Sequence, residues 1–117
     1  MKFATLTFLS LLTAAPALAD GFATVSKKSD FLSLVDGRDL KRFGIKLNVM
    51  SDGRITGDAF GREVQGAWEW QQGYFCRDLY WGSRDLGPNC QRVEVQDGTL
   101  RFIADRGQGD SAEFALK

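Results

Sequence analysis

Apolar side chains recur at every second position through most of this chain, and short glycine-containing turns interrupt the alternation at regular intervals. Alternation with a period of two is typical of strands that bury one face. Asp52-Gly53 and Asp97-Gly98 are strong hairpin signals, because Asp-Gly accommodates the positive φ angles of tight turns. The pattern therefore predicts an all-β fold, a small antiparallel meander that closes into a barrel or half-barrel of seven or eight strands.

One helix is predicted before the meander, over residues 29–37, with Phe31, Leu34 and Val35 on one face. Ser29 or Asp30 would cap its start. Gly37 would end it in the left-handed conformation. We expect this helix to close one end of the barrel.

The apolar phase of each predicted strand assigns its inward side chains. These positions are Phe43, Ile45, Leu47 and Val49; Ile55, Gly57 and Ala59; Val64, Gly66, Trp68 and Trp70; Phe75, Arg77, Leu79 and Trp81; Gln91, Val93 and Val95; Leu100, Phe102 and Ala104; Ala112, Phe114 and Leu116. Residues 82–89 are predicted to form a longer loop, because Gly82, Gly87 and Pro88 interrupt the alternation.

The first 19 residues have the order of features found in a secretory signal peptide. Lys2 precedes an apolar run over residues 3–12, and Ala17-Leu18-Ala19 fits a signal-peptidase site. The alternative is an N-terminal core helix, and the run is too short to span a membrane. We expect cleavage near Ala19, one domain over residues 20–117, no membrane span, and a periplasmic or secreted protein.

Export bears on the two cysteines, Cys76 and Cys90, in a chain without histidine. Two cysteines in an oxidising compartment most simply form one disulfide, whereas two thiols without histidine make a poor zinc site. Both fall on the outward phase, as a cross-strand bridge requires. A loop of 14 positions corresponds to roughly 3 kcal/mol of stabilisation in the chain-entropy model.

Arg77 is the one charged side chain among the predicted inward positions. One interpretation is an anion-binding arginine at the mouth of a cavity, with Gln91 as an inward polar neighbour. The other is a structural arginine that bonds Asp85 or the carbonyl groups of residues 82–89 and stacks on an aromatic ring. In the first interpretation three tryptophans would wall the cavity: Trp68, Trp70 and Trp81.

Composition removes several classes of function. Without histidine, no Ser–His or Cys–His nucleophile pair can form, and the chain has no phosphate-binding loop. Loss of residues 1–19 removes Lys2 and no acid, which leaves a net charge of −1 and argues against non-specific binding to nucleic acid or anionic membranes. We therefore expect no catalytic residues, no metal and no cofactor.

Four segments resemble a group of small exported alphaproteobacterial proteins of unknown function. They are GAWEWQQGYFCRDLYW (residues 66–81), NCQ (89–91), GRDL (37–40) and DGRITG (52–57). Many members carry the label dihydrodipicolinate reductase. The residues here do not support that activity, since such enzymes resemble a two-domain design with a G-x-G-x-x-G nucleotide site and a His-rich motif. In shape, a small exported barrel with one disulfide is also similar to periplasmic inhibitors of metalloproteases and lysozyme.

Three hypotheses of function follow. The first is a non-enzymatic binding or inhibitor module whose partner is a small anionic ligand or a periplasmic protein. The second is an enzyme, as in the reductase label, and the third is an envelope structural or stress protein. An open cavity lined by Arg77 and the tryptophans would favour a small ligand, and a packed interior would favour recognition by the surface.

Intact-mass spectrometry tests the predicted processing and the predicted disulfide together. The full chain, expressed with its leader and exported, is expected to begin at Asp20 and to gain the mass of two hydrogens on reduction. Two free thiols in the exported form would contradict the disulfide, and retention of residues 1–19 would contradict the cleavage.

Overall fold

A computed structural model describes residues 20–117, which form nine strands and two short helices. The elements are β1 (Ala23–Val25), α1 (Lys28–Val35), β2 (Leu40–Arg42), β3 (Ile45–Val49), β4 (Arg54–Ala59), β5 (Arg62–Gln71), β6 (Tyr74–Trp81), β7 (Arg84–Gln96), β8 (Thr99–Ile103), α2 (Ala104–Gly107) and β9 (Ser111–Leu116). The predicted signal peptide lies outside the described residues. None of the helices within them is long and apolar enough to cross a membrane.

The predicted barrel is confirmed. Strands β2 to β9 each pair antiparallel with their neighbour in sequence, and β2 pairs with β9, so that eight strands close on themselves. The extra strand β1 pairs with the C-terminal half of β7, where Val25 lies opposite Val93. Closure gives each of the eight barrel strands a hydrogen-bonded neighbour on both sides over at least part of its length, which limits exposed sheet edges.

The two ends of the barrel differ. Four connections lie together at one end, which we call the hairpin end: β2–β3, β4–β5, β6–β7 and β8–β9. Helix α1 lies at the opposite end, which we call the plug end. Phe31 of α1 is fully buried there, with its ring centroid 5.0 Å from Trp70, 5.2 Å from Phe75 and 5.3 Å from Trp68. The predicted closure of one end by a helix is therefore found.

The boundaries of α1 differ slightly from those predicted. Its N-cap residue is Lys27, which makes no side-chain capping hydrogen bond, and Ser29 and Asp30 lie inside the first turn. The predicted side-chain cap is therefore wrong, and the first hydrogen bond of the helix runs from the Phe31 N–H to the Lys27 carbonyl. Gly37 has a φ of +71°, in agreement with the predicted left-handed position after the helix.

The first predicted strand, over residues 43–49, is β3 from Ile45 onward, and the unpredicted strand β2 precedes it across a turn at Phe43 and Gly44. Phe43, which was predicted to point inward, is 91% exposed at this turn. The side chain of Phe60, in the β4–β5 turn of the hairpin end, is 61% exposed, and its ring centroid lies 6.4 Å from that of Phe43. Apolar alternation alone did not reveal that Gly44 turns the chain between the two strands.

The predicted loop over residues 82–89 is wrong as well, because strand β7 begins at Arg84 directly after a tight turn. A β-bulge at Leu79 and Tyr80 adjusts the register between β6 and β7. Proline fits at Pro88 because β8 pairs with β7 only from Arg92 onward, so this part of β7 has a paired strand on one side only.

The burial of Phe31 leads to a prediction about stability. Phe31→Ala is expected to lower the free energy of unfolding by about 3–5 kcal/mol, because it empties the centre of the plug. The matched control is Phe43→Ala, which removes the same atoms from an exposed turn and is expected to change stability by less than about 0.5 kcal/mol. Urea denaturation followed by tryptophan fluorescence measures both; equal effects would contradict the plug.

Candidate functional site

The barrel interior contains a cavity of about 230 Å³ between the plug and the hairpin end. Its lining comprises Leu40, Leu47, Val49, Ile55, Phe75, Arg77, Leu79, Gln91, Phe102, Asp110, Ser111, Ala112 and Phe114. Most of this surface is apolar, and it reaches solvent at Asp110 and Ser111, which are exposed. At ~30 Å³ for each water molecule, the cavity has room for about eight waters, or for one small ligand.

Arg77 places the positive charge in this lining. It points inward from β6, opposite Trp68 on β5 and Asn89 on β7, and its Nη1 donates a 2.7 Å hydrogen bond to the carbonyl oxygen of Gly87. Within residues 20–117 no carboxylate lies within ion-pair distance of this guanidinium. Burial lowers the pKa of Arg77, an effect that nearby Asp78 partly offsets. An arginine nevertheless keeps its charge at neutral pH.

Gln91 lies on the same inner face and joins two residues that the sequence did not reveal. Its Nε2 donates to Asn89 Oδ1 at 3.2 Å, and Asn89 Nδ2 donates to the Asp105 carboxylate at 2.7 Å. The backbone N–H of Asp105 also donates to Asn89 Oδ1, at 3.0 Å. Continuing the β7 alternation through Pro88 would have placed Asn89 opposite Arg77; the assumed loop over residues 82–89 concealed this signal.

The three tryptophans lie outside the lining of the cavity. Trp68 and Trp70 pack against Phe31 in the plug. Their indole N–H groups donate to backbone carbonyls, at 2.8 Å for Trp68 and 3.3 Å for Trp70. Trp81 donates to the carbonyl of Ala59 at 2.8 Å, and the guanidinium of Arg62 covers its ring at 4.8 Å. The structure thus places Arg77 and Gln91 in the lining of the cavity. The tryptophans instead pack in the plug or against Arg62.

Cys76 and Cys90 form the predicted disulfide. They are direct partners in the register of β6 and β7 and face outward, one residue from Arg77 and from Asn89. The covalent bridge therefore fixes the register that sets Arg77 opposite Asn89 on the inner face.

Two further charges lie near the mouth of the cavity. The guanidinium of Arg42 is 5.6 Å from the ring centroid of Phe114, which lines the cavity. Asp110 brings a carboxylate to the exposed part of the lining. The side chain of Asp110 is exposed to solvent, which screens its charge. Its repulsion of a bound anion is therefore weaker than the attraction from Arg77, which is half-buried.

Arg101 shows how a structural arginine is held in this protein. It lies on the outer face of β8 and binds the carboxylates of Asp20 at 2.7 Å, Glu94 at 2.9 Å and Glu113 at 3.2 Å. Its guanidinium also covers the ring of Phe22 at 3.7 Å. The hydrogen bond from Arg101 lowers the pKa of Asp20, and the same bond raises the pKa of Arg101.

Comparison with protein-family models, curated proteins and solved structures finds no match to this chain. The resemblance to small exported alphaproteobacterial proteins stays a prediction. Between Asp20 and the C-terminus, no three Cys, Asp or Glu side chains come together as a metal site.

The contrast between Arg77 and Arg101 can be measured. Arg77→Met is expected to change the free energy of unfolding by less than about 1 kcal/mol, because relief from burying an unpaired charge offsets the lost bond to Gly87. Arg101→Met is expected to lower the urea midpoint clearly, since three carboxylates lose their shared cation. An equal loss in both variants would make Arg77 a structural residue.

Proposed function

We propose that this protein is an exported, non-enzymatic binding module that holds a small anion with an apolar body inside its barrel. The observation that carries this proposal is Arg77, a guanidinium in the wall of an apolar cavity with one hydrogen bond to a carbonyl and no carboxylate partner in the described chain. Guanidinium has five N–H donors and pairs well with the two oxygens of a carboxylate. The N–H donors of Arg77 that the chain does not occupy are available to a bound carboxylate.

The remainder of the lining supports an apolar body for this ligand. Leu47, Val49 and Ile55 contribute aliphatic surface, and Phe75, Phe102 and Phe114 contribute aromatic surface. Small-molecule sites combine such a lining with a few polar groups that fix orientation. A barrel of eight strands is wide enough to hold one small ligand when side chains do not fill it.

Two features support an exported module. The Cys76–Cys90 disulfide fits an oxidising compartment. The predicted signal peptide over residues 1–19 would direct the chain there. With the leader removed, Asp20 would begin the chain, and Arg101 and the backbone N–H of Phe22 both bond its carboxylate.

One observation favours the second candidate, recognition of a periplasmic protein. The exposed rings of Phe43 and Phe60 lie next to each other on two turns of the hairpin end. A single exposed apolar side chain is common on protein surfaces, whereas neighbouring exposed rings favour a contact with another protein. No observation of this kind favours the reductase label or the envelope structural role, and both stay predictions.

Calorimetric titration of the exported, oxidised protein at neutral pH tests the anion proposal. Octanoate is expected to bind, and 1-octanol, which has the same chain without the charge, is expected to bind about 10- to 100-fold more weakly, since a charge-assisted hydrogen bond contributes about 1.5–3 kcal/mol. Arg77→Met is expected to remove this difference between the two ligands.

The matched control is Arg54→Met. Arg54 is exposed on the plug side of β4 and pairs with Asp52 at 2.8 Å, so its loss removes the same charge away from the cavity. This variant is expected to keep the preference for octanoate. Equal binding of octanoate and octanol by the unmodified protein, or no binding of either, would contradict the proposed function.

A further inference from the structure

The hydrogen bonds around Asn89 leave its side-chain amide only one orientation. A carboxylate can only accept, so the group that meets Asp105 at 2.7 Å must be Asn89 Nδ2. The backbone N–H of Asp105 can only donate, so the group that meets it at 3.0 Å must be Asn89 Oδ1. Two independent partners thus agree, and neither would tolerate a flipped amide.

This orientation determines that of Gln91 in turn. Asn89 presents Oδ1 to Gln91 at 3.2 Å, so Gln91 must present its Nε2 in return. The carbonyl oxygen Oε1 of Gln91 is then left over. Within the described residues, Oε1 accepts no hydrogen bond. It is also not a buried atom, because the one buried side-chain nitrogen or oxygen without a partner there is Arg92 Nε. Oε1 is therefore accessible. Since Gln91 lines the cavity, this part of the site presents a hydrogen-bond acceptor.

The contacts of Asn89 also hold the backbone at Asp105. Asp105 has a φ of +55° and Arg106 a φ of +54°, both in the left-handed region that residues with side chains rarely adopt. The paired bonds to Asn89 hold Asp105 in this conformation.

Arg77 and Gln91 lie on neighbouring strands at diagonal positions of the inner face, since Arg77 is opposite Asn89 and Phe75 is opposite Gln91. Side chains in this relation have Cα atoms about 7–8 Å apart, within joint reach of one small molecule. A ligand whose carboxylate meets Arg77 therefore brings the atoms a few bonds away to Gln91. There a ligand hydroxyl would donate to Oε1.

Resting on the proposed function, we propose that the cavity selects a hydroxycarboxylate, with the carboxylate on Arg77 and a nearby hydroxyl donating to Gln91 Oε1. A hydroxyl suits this position better than an ammonium group, because a second cation would lie close to Arg77 inside a poorly solvated wall. Gln91 is then a specificity-determining residue, and Asn89 and Asp105 are positioning residues that act through it.

The experiment compares octanoate, 2-hydroxyoctanoate and 3-hydroxyoctanoate by calorimetric titration of the exported, oxidised protein. At least one hydroxy acid is expected to bind about 3- to 10-fold more tightly than octanoate, the range expected for one added hydrogen bond. Gln91→Met is expected to abolish this preference. The matched control Gln65→Met changes an exposed glutamine of β5 and is expected to preserve it.

The outcomes separate the two proposals. Binding of octanoate with no gain for either hydroxy acid would overturn the selection by Gln91 and leave the anion site intact. Failure of all three acids to bind would overturn the anion site itself. The ligand comparison uses the unmodified protein, so it decides the question even where Gln91→Met lowers stability.

Discussion

The packing of Phe31 against Trp68, Trp70 and Phe75 is the interaction on which the rest of the molecule depends. An eight-stranded barrel has two open ends, and each must be filled or left to water. Helix α1 fills one of these ends with an aromatic cluster, and Phe31 at the centre of the cluster is fully buried. The space that remains is confined to the other half of the barrel, and this determines where a ligand can lie.

Within that space, the protein treats its charges in two different ways. On the outer surface, Arg101 of β8 is surrounded by acceptors and binds β7, β9 and the segment that precedes β1. Inside, Arg77 keeps its charge with a single carbonyl partner, although burial opposes the charged form. Arg77 thus receives one hydrogen-bond partner from the described chain where Arg101 receives three carboxylates, and the proposed anion site rests on this difference.

Much of this architecture follows from the sequence. Alternation and Asp-Gly turns predicted the barrel, and the outward phase of Cys76 and Cys90 predicted a bridge between neighbouring strands, because both depend on local periodicity. The same phase brought Arg77 and Gln91 inward. The bulge lies at Leu79 and Tyr80, beyond the disulfide, and so does not reverse this phase.

The features that were missed depend on pairing over long distances. Strand β1 has three residues, too few for a periodic signal, and is held by its register with β7. The contact of Asn89 with Asp105 joins positions 16 residues apart. It depends on the left-handed turn at Asp105 and Arg106, which no local pattern reveals. The tryptophans were assigned to the inner face, but alternation does not say how far along the barrel axis a side chain lies.

The join between the first and last barrel strands has a kinetic consequence. Strands β2 and β9 meet through two residue pairs, whereas β5 and β6 share eight. Leu40 at this seam and Ala112 further along β9 both line the cavity, so the least-bonded junction of the barrel is also a wall of the site. A bound molecule can leave by the mouth at Asp110 and Ser111, and parting of the few backbone hydrogen bonds at this seam would open a second route. A change in the seam would then alter the exchange rate more than the affinity.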